Sequence, residues 1–198
     1  QIPAVQALRR VWAEPYVEVP LSPDPRPLIA AIGRLGGRAK IRTGGVTAAA
    51  IPAAEPVLRF LRACGELRVP FKATAGLHHP LRAEYRLTYA PDSPTGAMFG
   101  YLNVFLTAVL LRQTALPDED ALALLEERSP EAFRFTPEAA HWRGYRVDRK
   151  AIELGRREGI VAFGSCSFVE PMGELKATVG RSDCQTVGGS DGRTAGQQ

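Results

Sequence analysis

Two short segments, residues 40–45 (KIRTGG) and 72–77 (KATAGL), each place a lysine shortly before a glycine-containing turn. Each segment is typical of the end of a β-strand. Because side chains alternate along a strand, a lysine shares its face with the residue two positions later, as Lys40 does with Arg42. On neighbouring parallel strands, these cations would meet beside two turns that offer backbone N–H groups. Such an arrangement favours an anionic or carbonyl substrate.

The two lysines indicate covalent chemistry on a carbonyl group. A lysine in a buried strand is costly unless it is paired or neutral, and two lysines at matched depth repel each other. Both effects favour the neutral amine that a Schiff-base nucleophile requires, so we expect Lys72 to react and Lys40 to assist it. Glu18, at the end of the preceding strand, would offset one charge or move protons. The alternative is that the strands are half exposed and the lysines are solvated.

The turn formed by Thr43, Gly44 and Gly45 resembles an anion-binding cradle. Glycines let the backbone approach a ligand closely, and N–H groups at the start of a helix favour negative charge. The alternative is a tight turn whose glycines take positive φ. The residues that we expect to bind substrate are Arg42, Thr43, Gly44, Gly45, Thr74, Gly76, Asn103, Ser165, Cys166 and Ser167.

Two adjacent histidines, His78 and His79, follow the second segment. On an extended backbone they would point in opposite directions, and neither HxH nor HxxxH spacing occurs, so we predict no metal site and no cofactor. The role of general acid or base is the favoured one for either histidine. Alternatively, both are loop residues that hydrogen-bond to the backbone.

Residues 163–168 (FGSCSF) lack the second glycine of the GxSxG motif, so a hydrolase elbow is not predicted. The small residues of this segment indicate close packing against a neighbour or a ligand, and a nucleophilic Cys166 is the less favoured option. Asn103 is polar within an apolar run. It is either a hydrogen-bonding residue that faces the site or a helix residue that meets solvent.

The composition is that of an ordinary globular domain. The 198 residues are 45% hydrophobic and 23% charged, with a net charge of +4. We expect residues 1–181 to form one domain and residues 182–198 to form a disordered tail. The arginines are scattered, so nucleic-acid binding is not predicted. Three cysteines without CxxC spacing suit a reducing cytoplasm, and the apolar runs are too short to span a membrane.

Strand and helix patterns alternate over the first part of the chain, which favours parallel strands joined by crossover helices. Strands are predicted at 17–21, 38–43 and 69–75, and helices at 27–35 and 53–66. The later segments are less regular: a strand at 82–89, a loop at 90–96, helices at 101–116 and 118–128, mixed turn and helix at 130–145, a helix capped by Asp148, and a strand at 160–164. The predicted fold class is α/β and (β/α)-barrel-like, either a partial TIM barrel or an open parallel sheet.

Four segments of the chain resemble a family of bacterial hypothetical proteins. They are residues 72–80 (KATAGLHHP), 99–105 (FGYLNVF), 163–171 (FGSCSFVEP) and the Lys-x-Arg-x-Gly-Gly segment at 40–45. The resemblance covers residues 15–175 and implies no activity, because none is established for that family. Its members are longer at the N-terminus, so we expect an early portion to be absent here.

A weaker similarity is to class I aldolases of the deoxyribose-phosphate type. Those enzymes place lysines on adjacent barrel strands before glycine-rich turns, and Lys40 and Lys72 are the matching positions. Only this spacing corresponds, and no aspartate stands where a proton relay would be expected.

Together these observations predict a cytoplasmic enzyme that acts on a small phosphorylated or carboxylated carbonyl compound, as a lyase of the aldolase kind. One alternative is an isomerase or transferase that uses the same cations only to hold phosphate. The other is a ligand-binding or scaffold domain without chemistry. Because a partial barrel would leave strand edges exposed, we also expect self-association into a homo-oligomer.

Overall fold

A four-stranded parallel β-sheet organises the computed structural model, which describes residues 14–165, 167 and 169–179. The strands are β1 (Tyr16–Glu18), β2 (Arg38–Arg42), β3 (Phe71–Thr74), β4 (Ala83–Arg86), β5 (Thr95–Met98), β6 (Phe133–Phe135), β7 (Ala139–Trp142), β8 (Tyr145–Asp148) and β9 (Ile160–Gly164). The helices are α1 (Arg26–Arg34), α2 (Ala54–Glu66), α3 (Tyr101–Gln113), α4 (Asp118–Glu126), α5 (Arg149–Glu158) and α6 (Val169–Val179). The predicted tail at 182–198 and Cys166 lie outside the described residues.

The parallel sheet has the strand order β1-β2-β3-β9. Helix α1 connects β1 to β2 and helix α2 connects β2 to β3, so the alternation predicted from the sequence is confirmed. Strand β9 pairs with β3 after an excursion of more than eighty residues. The fold is therefore mixed α/β. Across the part of the chain that the structure describes, the sheet ends at β1 and β9 and does not close.

One face of the parallel sheet forms the protein core. Alternate strand residues are fully buried, among them Ala39 and Ile41 on β2 and Phe71 and Ala73 on β3. They belong to a single apolar cluster with residues of helices α1 to α5. The intervening residues of β1, β2 and β3 are polar or aromatic and are half-buried or exposed. We call this set the polar face: Tyr16, Glu18, Arg38, Lys40, Arg42, Lys72 and Thr74.

The excursion between β3 and β9 contains two antiparallel elements that the sequence pattern only partly predicts. Strands β4 and β5 form a hairpin, so the last two residues of the loop predicted at 90–96 belong to a strand. Strands β6, β7 and β8 form a three-stranded sheet, so the mixed turn and helix predicted at 130–145 holds for the 3₁₀ helix Pro130–Ala132 and for the turns but misses the three strands. The reason is that these strands have only three or four residues, too few to show a period.

The helices agree more closely with the sequence patterns. Helix α3 begins at Tyr101 as predicted, and it is buried on nearly all sides. Helix α5 begins after Asp148, whose Oδ1 accepts a hydrogen bond from the backbone N–H of Ala151 at 2.8 Å, which confirms the predicted cap. None of the helices in the described ranges is long and apolar enough to cross a membrane.

Candidate functional site

A row of charged side chains crosses the polar face at one level of the sheet. Glu18 on β1 pairs in register with Lys40 on β2, and Lys40 pairs with Lys72 on β3. The Nζ of Lys40 lies 2.6 Å from Oε2 of Glu18. The Nζ of Lys72 lies 4.2 Å from the centre of the Tyr16 ring. The two lysines therefore lie side by side on one face, and Glu18 offsets the charge of Lys40.

Glu18 is held in its ionised form by its cationic neighbours. The hydrogen bond from Lys40 is the largest influence and lowers the pKa of Glu18, partial burial opposes it, and the charges of Lys40 and Arg42 add to the lowering. Because 48% of the Glu18 side chain and 27% of the Lys40 side chain remain exposed, solvent reaches this ion pair.

Arg42 lies one step further along the polar face, at the carboxyl end of β2. It is exposed and pairs in register with Thr74 of β3, which in turn pairs with Gly164 of β9. An open cleft of about 430 Å³ begins here, lined by Glu18, Arg42 and the loop residues that follow β1 and β2. The arrangement gives an anion a cationic partner at the carboxyl ends of the parallel strands, where sites in α/β folds form.

The turns after β2 and β3 pack directly against each other. The Thr43 hydroxyl is buried and donates a hydrogen bond to the Ala75 carbonyl at 2.6 Å. A Cβ placed on Gly44 would lie 3.0 Å from the Cα of Gly76. Gly76 has φ +77°, whereas Gly44 and Gly45 do not have positive φ. The alternative of positive φ at residues 43–45 is therefore wrong, and the glycines at 44 and 76 serve close backbone contact. The role of the turn as an anion cradle stays a prediction.

His78 lies between the carboxyl ends of β3 and β9. Its Nδ1 is 3.0 Å from Oγ of Ser165, and the same Oγ accepts a hydrogen bond from the N–H of Ser167. Burial lowers the pKa of His78, the neighbouring His79 lowers it further, and Glu170 opposes both. A neutral imidazole hydrogen-bonded to a hydroxyl can accept or donate a proton, which is the chemistry predicted for this position.

The His79 ring lies edge-to-face with that of His78, with centres 6.4 Å apart, so the expected opposite directions of the two histidines are wrong. The Nδ1 of His79 lies 2.8 Å and 3.0 Å from the two oxygens of Glu174, and its ring stacks on Tyr85 with centres 3.5 Å apart. Ligand atoms of His79, Glu170 and Glu174 all lie within 4.8 Å of one another. Beside them is an open cleft of about 270 Å³, lined by both histidines, Glu170 and the β4–β5 hairpin.

The two glutamates were not part of the predicted site. Glu170 and Glu174 are four residues apart on α6, so they project from the same side of that helix. This i, i+4 spacing directly after a strand is the signal that could have identified them. It carries no information about His79, which reaches them from a loop ninety residues earlier in the chain.

Asn103 lies away from these groups and has a structural role. It is fully buried, so the alternative in which it meets solvent is wrong. Its Oδ1 accepts a hydrogen bond from the N–H of Arg82 at 3.0 Å, and its Nδ2 donates to the carbonyls of Leu124 and Glu127, both at 2.8 Å. The side chain thus connects α3 to the loop before β4 and to the end of α4.

The predicted residues therefore fall into two neighbouring groups on adjacent strands. The first group, on the polar face and its turns, contains Glu18, Lys40, Arg42, Lys72 and Thr74. The second, at the ends of β3 and β9, contains His78, His79, Ser165 and Ser167. Comparison of the chain with protein-family models, with curated proteins and with solved structures finds no match. The chemistry of these two groups is therefore the basis for assigning a function.

Proposed function

We propose that this chain is an enzyme acting on a small phosphorylated or carboxylated carbonyl compound, with Lys72 as a Schiff-base nucleophile on the polar face. The observation that carries the proposal is the register of Glu18, Lys40 and Lys72 across three parallel strands. A carboxylate and two amines at one level of a sheet, with Arg42 one step further on, can bind an anion and act on a carbonyl group beside it.

The sheet itself supports a (β/α)-barrel-like fold as part of this proposal. Its helices belong to the core on one face, while charged residues occupy the other. The sheet of a (β/α) barrel is covered by helices on its outer face in the same way, while the side chains of its other face point into the barrel interior. In such a barrel the polar face would line the interior, and the turns after β2 and β3 would lie at the mouth where substrates enter.

The contacts of the two lysines differ, and this difference supports different roles for them. Lys40 is held by Glu18 at 2.6 Å. For Lys72, no carboxylate among the residues that the structure describes lies within ion-pair distance, and its amine is positioned against the Tyr16 ring. Lys72 is therefore the amine that can leave its neighbours and attack a carbonyl carbon. Lys40, paired with its carboxylate, is placed to attract the anionic group or to protonate the departing oxygen.

The proposed reaction needs proton transfer in two places. The Lys72 amine adds to the carbonyl carbon, and the resulting hydroxyl group leaves as water after it takes up a proton, giving an iminium. Lys40 can supply that proton and recover it through Glu18. His78, with its lowered pKa and its contact to Ser165, would take the second proton from the β-hydroxyl group of the substrate. The adjacent carbon–carbon bond then breaks, a carbonyl product leaves, and the electron pair of that bond passes to the iminium, giving an enamine.

A second candidate function is the non-covalent use of the same cations by an isomerase or transferase. The exposed Arg42 beside the cleft of about 430 Å³ favours it, because a guanidinium at the carboxyl end of a strand can hold phosphate or carboxylate without any covalent step. The two candidates differ in one respect, which is whether the Lys72 amine must be nucleophilic.

Reductive trapping tests the covalent proposal. The full chain is incubated with borohydride and a panel of short sugar phosphates and 2-keto acids, and adducts are located by peptide mass spectrometry. We expect an adduct on Lys72 that is lost in Lys72→Arg and kept in the matched control Lys150→Arg, which changes an exposed lysine of α5.

Two other outcomes have definite meanings. If no compound of the panel gives an adduct on Lys72 or Lys40, the Schiff-base mechanism is rejected. Calorimetric titration of the same compounds then decides between the remaining functions. Anion binding that survives Lys72→Arg but is weakened by Lys72→Met supports the non-covalent candidate. The absence of any binding supports a scaffold domain that has no catalytic activity.

A further inference from the structure

The group formed by His79, Glu170 and Glu174 has the composition and spacing of a metal-binding site. Each side chain offers one ligand atom, and the three atoms lie within 4.8 Å of one another. Nitrogen and oxygen ligands contact a first-row divalent ion at about 2.0–2.2 Å, so atoms this close can share one ion after small side-chain rotations. The group includes an imidazole as well as carboxylates, which distinguishes it from an ordinary acidic surface.

Neighbouring aromatic residues hold two of these ligands in place. The His79 ring is stacked on Tyr85 at an interplanar angle of 9°, and only 12% of the His79 side chain is exposed. The hydroxyl of Tyr89 donates a hydrogen bond to Oε2 of Glu170 at 3.0 Å. A hydrogen bond to a ligating carboxylate, as Tyr89 makes to Glu170, is typical of metal sites. In this chain both aromatic residues come from the β4–β5 hairpin and the loop that follows β4.

The group borders an open cleft, as a catalytic metal site requires. His79 and Glu170 both line the cleft of about 270 Å³, together with Arg86 and Thr88. Three protein ligands leave at least one coordination position for water or a substrate oxygen. Because Arg86 offers a positive charge in the same cleft, an anionic oxygen ligand would be favoured there.

We propose that His79, Glu170 and Glu174 bind one divalent first-row transition-metal ion, whose open coordination positions face this cleft and take an oxygen ligand. The ligand set of one imidazole and two carboxylates suits Mn²⁺, Fe²⁺ or Zn²⁺ better than Cu⁺, which favours sulfur ligands. This inference goes beyond the proposed function and does not depend on Lys72. The alternative explanation is an ion pair between a protonated His79 and Glu174, without a metal.

Metal titration of the full chain separates these two explanations. The protein is treated with EDTA, desalted and titrated with Mn²⁺, while electron paramagnetic resonance measures the free ion. Zn²⁺ is titrated separately against a chromophoric chelator. We expect one equivalent of each ion to bind. Glu174→Gln and Glu170→Gln should each weaken binding at least about tenfold, since loss of even an outer partner of a metal ligand costs 10–100-fold in affinity.

Matched controls lie elsewhere on the chain. Glu119→Gln changes an exposed glutamate of α4, and His141→Asn changes a histidine of β7, and neither should alter the affinity. Circular dichroism establishes that each variant is folded. Because Glu170 is not in the apolar core, Glu170→Gln keeps the test informative even if Glu174→Gln fails to fold.

The proposal is overturned by either of two results. One is that the wild-type chain binds neither ion at a stoichiometry above background. The other is that folded Glu170→Gln and Glu174→Gln bind as tightly as the Glu119→Gln control, which would place the bound metal elsewhere. Adduct formation on Lys72 is measured without added metal, so the failure of one proposal is distinguishable from the failure of the other.

Discussion

Replacement of Gly76 by alanine tests whether the turns after β2 and β3 are fixed by direct backbone contact. Gly76 has φ +77°, in the left-handed region that residues with a Cβ avoid. The added Cβ would lie 3.1 Å from the Cα of Gly44 and 3.3 Å from the carbonyl oxygen of Thr43. Both neighbours are backbone atoms, so neither can rotate away as a side chain would.

The size of the effect follows from three contributions. The left-handed conformation costs a residue with a Cβ roughly 1–2 kcal/mol. Crowding in a well-packed region costs about 1–3 kcal/mol. The restriction that alanine places on the unfolded chain acts in the opposite direction by about 0.4–1 kcal/mol. We therefore expect Gly76→Ala to lower the free energy of unfolding by about 1–5 kcal/mol.

Urea denaturation followed by circular dichroism measures this difference. Gly144→Ala is the matched control, because a Cβ at Gly144 meets no atom within 4 Å and this glycine does not have positive φ. The control should change the free energy of unfolding by less than about 0.5 kcal/mol. If Gly76→Ala is as stable as Gly144→Ala, the close contact between the two turns does not exist as described.

Three further perturbations address other parts of the molecule. Asn103→Leu should lower the free energy of unfolding by about 2–4 kcal/mol, because three backbone groups, two of them buried, lose their side-chain partner, and urea denaturation measures the loss. Cys64 should resist iodoacetamide in the native state even at alkaline pH, since burial raises the pKa of its thiol, and peptide mapping should detect its alkylation only after denaturation. Because the unfolded thiol ionises first, Cys64 should also make the native state less stable as pH rises. Glu18→Gln should cost at most about 1 kcal/mol at pH 7, as its ion pair is half exposed. Since the pKa of Glu18 is lowered in the folded state, the difference from wild type in pH-dependent urea denaturation should disappear as pH falls through that pKa.

The sequence predicts the parallel sheet well because its signals are local. Buried and polar residues alternate along β2 and β3, and the amphipathic α1 and α2 stand between the strands at regular intervals. The shared face of Lys40 and Lys72 follows from that period once the strands are parallel and in register. The ion pair between Lys40 and Glu18 follows from the same geometry.

The remaining features depend on contacts between distant segments. Strands β7 and β8 are joined by a two-residue turn in which Arg143 has φ +48°. Because position 143 is neither glycine nor asparagine, the sequence does not indicate a hairpin turn there. The meeting of His79 with Glu174 requires β9 to pair with β3, which brings α6 to the loop after β3. Neither the pairing of β7 with β8 nor the contact between His79 and Glu174 can be predicted from the spacing of residues along the chain.

The alternation along β1, β2 and β3 separates the residues that pack the core from those of the polar face. Residues of the core face such as Ile41 and Ala73 hold the molecule together, while the lysines and Arg42 of the polar face take no part in that packing. The residues of the polar face could therefore be replaced together without loss of the packed core. A sheet of this kind can acquire new binding specificities through substitutions on one face alone.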